Sequence, residues 1–325
     1  MTTPACPAPQ PPAVLLVGEA LVDEFAEGPV AGGAPLNVAR SLKALGLEAV
    51  LASRLNPADA AGQNVLRSMR HFSLAEHGLQ HDDTHPTGRV SVWEDGQGSH
   101  RFEIQPNSAW DHLEAAPLLA LAQTTAPALL YFGSLAQRSK GSRQAMGELL
   151  AHASASGCTR YLDLNLRAGA SNAELTQHCL RHASWLKVND EELAQLLRWF
   201  APDFAQDLPL QGQAQALQPA VAALLRHFAL ERLVLTRGAL GYAAFDAQAQ
   251  LIAAGPAAPL PTLVDTVGAG DAFSAMLLAA LLRGHSWPRA LALANGMAAA
   301  LCGQRGPVPA HLGFYTPWAA ALEQT

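Results

Sequence analysis

Charge is scarce in this chain, at 15% of its 325 residues, and the balance of 21 Lys and Arg against 27 Asp and Glu is mildly acidic. No basic run occurs, which argues against nucleic acid or an anionic membrane as the main partner. The four cysteines, Cys6, Cys158, Cys179 and Cys302, include no close-spaced pair, so neither a zinc site nor a disulfide framework is indicated. Reduced thiols in a cytoplasmic setting are the simplest expectation. No uninterrupted apolar run approaches the ~18 residues needed to cross a bilayer. The opening MTTPACPAPQPP lacks the basic start and apolar stretch of a secretory leader, so residues 1–12 read as a flexible, proline-stiffened tail. Internal repeats are absent as well. A small, diffusing substrate is the kind of partner these absences leave.

Half the residues are apolar, enough for a sizeable core, and the length suits one large domain over 13–325 with a smaller appendage. From Ala13 onward, short β-rich runs (13–17, 48–53, 128–133, 159–164, 185–188, 232–236) alternate with helical stretches (35–45, 60–71, 139–156, 172–182, 190–200, 214–228, 270–283, 287–301, and one after Pro309). That rhythm predicts an α/β fold, a doubly wound and mainly parallel sheet flanked by helices. GRVSVWEDGQGSHRFEI at 88–104 breaks it with two alternating runs around a hairpin signal, and with 21–31 predicts a small β-sheet. The Gln-rich, proline-bounded stretch 201–219 reads as an exposed insertion without chemistry.

The most informative segment is LVDTVGAGDAFSAMLLAALL at 263–282. Gly268, Ala269 and Gly270 carry little or no side chain, so their amides can close on an anion at the positive end of the following helix. Asp271 falls in the first helical turn, placed to accept a proton from a substrate hydroxyl while those amides neutralise charge on a transferred group. A plain capped turn explains the four residues alone equally well.

The longer string from Asp265 to Phe273 resembles the second signature of the ribokinase-like (pfkB) carbohydrate kinases, and nearly the whole chain after the tail is similar to that family. The resemblance implies a ribokinase-like fold with the small sheet at 21–31 and 88–104 as a lid over a sugar. It makes Asp271 the catalytic base and Gly268, Ala269 and Gly270 the anion hole. Met276 stands where the family usually has a small residue and is expected to alter packing behind the site.

Gly18 to Asp23 and Gly32-Gly33-Ala34-Pro35-Leu36-Asn37 resemble the sugar-binding elements. Asp23 is suited to accept bonds from two hydroxyls, Gly32 and Gly33 to close backbone approach, and Asn37 to donate and accept. A turn with a solvent-facing Asn is the alternative. Arg101, on the lid, is implied as a further sugar contact. The first signature runs on to a glycine where this chain has Asn56, a residue that tolerates left-handed backbone. Asp163, Asn165 and Arg167 occupy alternate positions leaving a strand and share one face if it stays extended. In the family such a segment borders the phosphate path, making Asp163 and Asn165 substrate residues and Arg167 a phosphoryl contact.

Asn189 and Glu192 have capping-box spacing, and the resemblance adds a role in holding the water shell of magnesium, with Asn189 also beside the nucleotide. Thr236, Gly238 and Gly241 form a strand-ending turn given a nucleotide role, and Asn295 lies where the family packs adenine. Asp265, the backbone near Val267 and the loop 302–306 are implied to surround a monovalent cation, giving ATP, Mg2+ and K+ as cofactors. His71, His77, His81 and His85 read as surface histidines, because Pro86 disfavours the helix that would align the last two.

The Gly-Gly-Ala-Pro-x-Asn form, GSLA at 133–136 and DLNLR at 163–167 are most similar to the fructokinase branch. The expected activity is ATP-dependent phosphorylation of a sugar primary hydroxyl. Fructose is the first candidate; ribose, other ketohexoses, 2-keto-3-deoxygluconate and nucleosides remain open, as does a non-catalytic sugar-binding protein. A homodimer through the β lid is the oligomer to test. A dinucleotide oxidoreductase is disfavoured, since Gly18-Glu19-Ala20 lacks the Gly-x-Gly-x-x-Gly turn.

Overall fold

Strand β1 (Val14–Val17) sends Val14 and Leu16 into one apolar cluster and Leu15 and Val17 into another, so both faces of its sheet must be covered. The protein is described from a computed structural model over residues 13–25, 28–94, 100–167, 169–206, 208–260, 262–309 and 311–324. After β1 come β2 (Leu21–Phe25), β3 (Gly28–Gly32), α1 (Ala34–Ala44), β4 (Ala49–Leu55), α2 (Ala60–His71) and β5 (Leu79–His81). The hairpin of β6 (Gly88–Glu94) and β7 (His100–Ile104) follows, then α3 (Ala115–Thr125), β8 (Leu129–Gly133), α4 (Lys140–Ala155) and β9 (Thr159–Asp163). Next are α5 (Ala173–His182), β10 (Trp185–Asn189), α6 (Asp190–Phe200), α7 (Gln218–Phe228) and β11 (Arg232–Thr236). The chain ends through β12 (Tyr242–Asp246), β13 (Leu251–Gly255), α8 (Ala269–Leu282), α9 (Trp287–Cys302) and α10 (Thr316–Leu322).

Nine of these strands form one sheet in the order β13-β12-β11-β10-β9-β8-β1-β4-β5, parallel except where β12 meets β11 and β13. Helices α1, α2, α8, α9 and α10 pack on one face and α3 to α7 on the other. This is the predicted doubly wound architecture. Its order reverses at β1, with β4 on one side and β8 on the other, and ligands of such sheets collect at the carboxyl ends of strands beside that reversal. Leu16 is fully buried there, and truncating such a side chain to Ala typically costs about 2 to 5 kcal/mol.

A second sheet, β3-β2-β6-β7, is built from the two segments expected to form it, with β2 and β6 parallel and the outer pairs antiparallel. The hairpin tip expected at 95–98 and the tail at 1–12 lie outside the described residues.

Other differences from expectation have local causes. The patterns missed α3, the short β5 and the antiparallel β12 and β13, whose Ala-rich sequences become strands by pairing, β12 onto β11 and β13 onto β12, rather than by propensity. The expected helix at 214–228 is a 3-10 turn over Ala214–Leu217 followed by α7, with a proline in its first turn. The stretch 201–219 is not simply exposed: Leu217 is fully buried, and the carbonyls of Leu210 and Gly212 accept from the Arg237 guanidinium. Asn56 is not left-handed; its Oδ1 accepts the Ala58 N–H at 2.9 Å and its own N–H donates to Thr87 Oγ1 at 3.0 Å. Met276, on α8, is fully buried in the core.

Candidate active site

The start of α8 is shaped by what only glycine allows. Gly268 has φ +80°, and a Cβ there would lie 2.3 Å from the Pro307 carbonyl oxygen. No side chain caps this helix; the Ala269 N–H, expected in the anion turn, donates to the Thr266 carbonyl at 3.2 Å, which leaves the Gly268 and Gly270 amides at the positive end of the dipole. Asp271 stands in that turn, and Asn37 of α1 donates from Nδ2 to its Oδ2 at 2.7 Å. Burial, with the charge of Asp163 nearby, raises the Asp271 carboxyl to a pKa of about 6; the Asn37 bond, Lys187 and Arg167 oppose the rise. A carboxylate poised near neutrality is suited to take a proton from a hydroxyl.

Beside it lies a second acidic pocket. Asp23 of β2 packs over Gly32, where a Cβ would sit 2.3 Å from Asp23 Oδ2, and Gly33, at φ +104°, brings its backbone against the Glu19 carbonyl. Burial lifts Asp23 to about 6 and Glu19 to about 7, while the cations Arg167 and, for Asp23, Arg40 pull the other way. Arg167 is exposed and acts electrostatically on Glu19, Asp23 and Asp271 together. Asp23, Gly32, Gly33, Asn37, Arg167, Asp271 and the Gly268–Gly270 turn thus surround one cleft.

Asp163 does not join them as expected. It is 3% exposed and held by Lys187 Nζ at 2.8 and 3.0 Å, with Tyr131 and Ser274 hydroxyls donating to Oδ2 at 3.1 and 2.8 Å. No sugar hydroxyl is needed to satisfy it. The shared face proposed for residues 163, 165 and 167 is also lost, because β9 ends at Asp163 and Asn165 turns left-handed at φ +48°. Arg101 lies on β7 opposite Trp93, and its side chain is outside the described residues.

Asn189 and Glu192 form the full capping box at the start of α6. Glu192 Oε2 accepts the Asn189 N–H at 2.9 Å and Oε1 accepts the Leu166 N–H at 2.8 Å, so this recessed carboxylate can reach a hydrated cation only through water, whereas Asn189 is exposed. Asp265 folds two loops onto one carboxylate, accepting from Val267 N–H at 2.9 Å and Gly306 N–H at 3.0 Å. That acid-centred junction lies beside the α8 turn, with both carboxylate oxygens already accepting a backbone N–H.

On the far side of the turn, Thr236 ends β11, Gly238 has φ +50°, and a Cβ on Gly241 would strike the Gly255 carbonyl at 2.0 Å. A cavity of about 510 Å³ follows, lined by Ala258, Leu260, Gly296, Ala300 and Trp318 among others. Its apolar walls and volume suit a flat aromatic base. Asn295 adjoins it, but its Nδ2 donates to the Pro256 carbonyl at 3.0 Å, so the amide ties down the cavity's loop. Of the four histidines, His71, His77 and His81 are exposed, while His85 is half-buried, with Nδ1 3.1 Å from Asp82 Oδ2 and its ring stacked on His112.

Sequence reasoning missed Lys187, Arg40 and Glu19. Lys187 had a signal: it is the one charged residue inside the otherwise apolar run WLKV. Burial works against its charge, and Asp163 more than offsets this, holding its pKa above the ordinary value. A Cβ on Gly270 would come 3.3 Å from Lys187 Nζ, so the ammonium also backs the anion turn.

This cleft, at the carboxyl ends of a doubly wound sheet under a four-stranded second sheet, defines a ribokinase-like α/β protein. A double-mutant fructokinase from Vibrio cholerae, solved with fructose, ADP and a potassium ion, superposes with TM-score 0.75 at 24% identity, covering 94% of this chain and 98% of that one. Aminoimidazole riboside kinase from Salmonella enterica, solved with its riboside and an ATP analogue, gives 0.72 at 24% identity over 95% and 99%. In sequence, a fructokinase from Vibrio alginolyticus is 27% identical over 314 residues, 91% of this chain and 95% of the relative. The model of the pfkB family carbohydrate kinases matches residues 19–311, and the chain belongs to that family. It is a sugar kinase by membership.

Proposed function

We propose that this chain transfers the terminal phosphoryl group of ATP to a primary hydroxyl of a sugar, with fructose as first candidate. The observation that carries the reading is the Asp271 carboxylate, held by Asn37 at an uncapped helix start and adjoining the pocket of Asp23, Gly32 and Gly33. Asp271 accepts the proton of the hydroxyl as its oxygen bonds to phosphorus and the bond to the ADP oxygen breaks. The Gly268 and Gly270 amides and Arg167 stabilise the charge spread over the transferring group. Asp23 orients the sugar through its hydroxyls, and the sheet β3-β2-β6-β7 acts as the lid that excludes water.

The base of ATP occupies the cavity beside Gly296 and Trp318, and its phosphates run past Thr236, Gly238 and Gly241 to the α8 turn. Bound magnesium would neutralise phosphate charge, with Asn189 and Glu192 holding its water shell. Asp265 and the Val267 backbone would hold potassium. The fructose preference rests on the fructokinase relative and the GGAPLN segment; an aminoimidazole riboside kinase among the structural neighbours keeps other sugars in the test. We extend the proposal to a homodimer through the lid, whose edge strand β3 leaves Val30 38% exposed, and to a cytoplasmic setting.

A panel of fructose, ribose, 2-keto-3-deoxygluconate and a nucleoside, incubated with ATP and read by product mass and kcat/KM, tests the reading. A phosphorylated fructose formed with the highest kcat/KM supports it. Preference for another sugar removes the fructokinase label, and binding without product would support a sugar-binding protein instead.

A further inference from the structure

Arg40 is 4% exposed on α1, one turn beyond Asn37. Its guanidinium touches three elements: Nη2 donates to the Ala31 carbonyl of β3 at 2.9 Å and to Asn37 Oδ1, and Nη1 donates to Ser68 Oγ of α2 at 2.6 Å. It also lies 5.7 Å over the Phe72 ring. So large a desolvation of a cation calls for a purpose.

We propose that Arg40 is a positioning residue that fixes the sense of the Asn37 amide and, through it, holds Asp271. A guanidinium only donates, so the Asn37 oxygen must face Arg40 and Nδ2 is left to face Asp271. Reversed, the amide would turn its oxygen toward an ionised carboxylate and repel it. With Nδ2 forward, Oδ2 of Asp271 is pinned and Oδ1 is left for the proton of the acceptor. The same guanidinium grips Ala31, the residue before Gly32-Gly33, so the lid strand and the base share one anchor. The other charges around Asp271 come from different elements: Asp163 on β9 with Lys187 on β10, Arg167 after β9, Glu19 after β1 and Asp23 on β2.

The relay rests on Asp271 as the base for its catalytic meaning, but its geometry is read without turnover. The Asp271 carboxyl is titrated by 13C NMR, assigned by difference against Asp271→Asn, and compared with the acid limb of kcat/KM. In Arg40→Met the titration should move up by about half to one pH unit, the scale of one lost hydrogen bond. Arg40 also faces Asp271 directly through its charge, so Arg40→Lys, which keeps the charge and only donates, should restore it and Arg40→Gln should not, and the comparison that isolates the relay is the same pair made with and without Asn37. In an Asn37→Leu background the Arg40 substitutions should add only the smaller shift of that direct field. An unmoved titration in Arg40→Met, equal behaviour of Lys and Gln, or the same displacement without Asn37 would overturn the relay. Absence of phosphorylated product from the wild type would instead strike at the kinase reading, leaving the titration to judge Arg40.

Discussion

Replacing Asp271 with Asn should inactivate the protein and stabilise it. The carboxyl has a native pKa of about 6 against an ordinary 3.8, raised chiefly by burial, so the folded state binds its proton more tightly than the unfolded chain does. Ionised Asp271 is therefore a net cost to folding, present in full above about pH 6 and fading as the pH falls toward 4. The gap corresponds to at most about 3 kcal/mol, and solvent in the cleft reduces it to about 1 to 2 kcal/mol. Asn keeps the shape and still accepts from Asn37 Nδ2, so Asp271→Asn should unfold at higher urea at pH 8, with the advantage narrowing at pH 5. Turnover should fall about 10²- to 10⁴-fold with little change in ATP binding. A variant no more stable than wild type at pH 8, a stability gap indifferent to pH, or near-normal turnover would refute the reasoning.

Asp23→Ala should raise the sugar KM far more than that of ATP, lowering kcat/KM about 10- to 150-fold, as expected for charge-assisted bonds to hydroxyls; equal effects on both substrates in initial-rate assays would count against it. Potassium should activate, and Asp265→Ser should abolish the difference between potassium and tetramethylammonium buffers. Identical rates for the wild type in both would remove the cation from the reading. Lys187→Met, which strands Asp163 among Tyr131 and Ser274, should cost about 3 to 5 kcal/mol in equilibrium unfolding, and Lys187→Met with Asp163→Leu should recover much of it. A loss below about 1 kcal/mol in the single variant would show that the pair is not the anchor its burial suggests.

The parallel strands and most helices could be read along the chain because their signals are local: short apolar runs with turn residues between them, and amphipathic stretches with caps such as Asn189. The glycine turns were legible as turn residues, since Gly268, Gly33 and Gly241 take positive φ, but what crowds each of them, Pro307, Glu19 and Gly255, comes from distant parts of the chain. Direction across the fold was not legible. Asp163 and Asp271 are both acids at element ends, yet one is neutralised by Lys187 from the neighbouring strand and the other faces the cleft. Asn37, spaced like a sugar contact, meets an acid 234 positions away, and Arg40, apparently one more polar residue of a helix, is sealed beneath it. Composition and spacing settle which residues can carry charge or turn the backbone, whereas the strand order and the packing of α1 against α8 decide which charges are paired in the interior and which are left for a ligand, because electrostatic partnership depends on distance in space rather than along the chain.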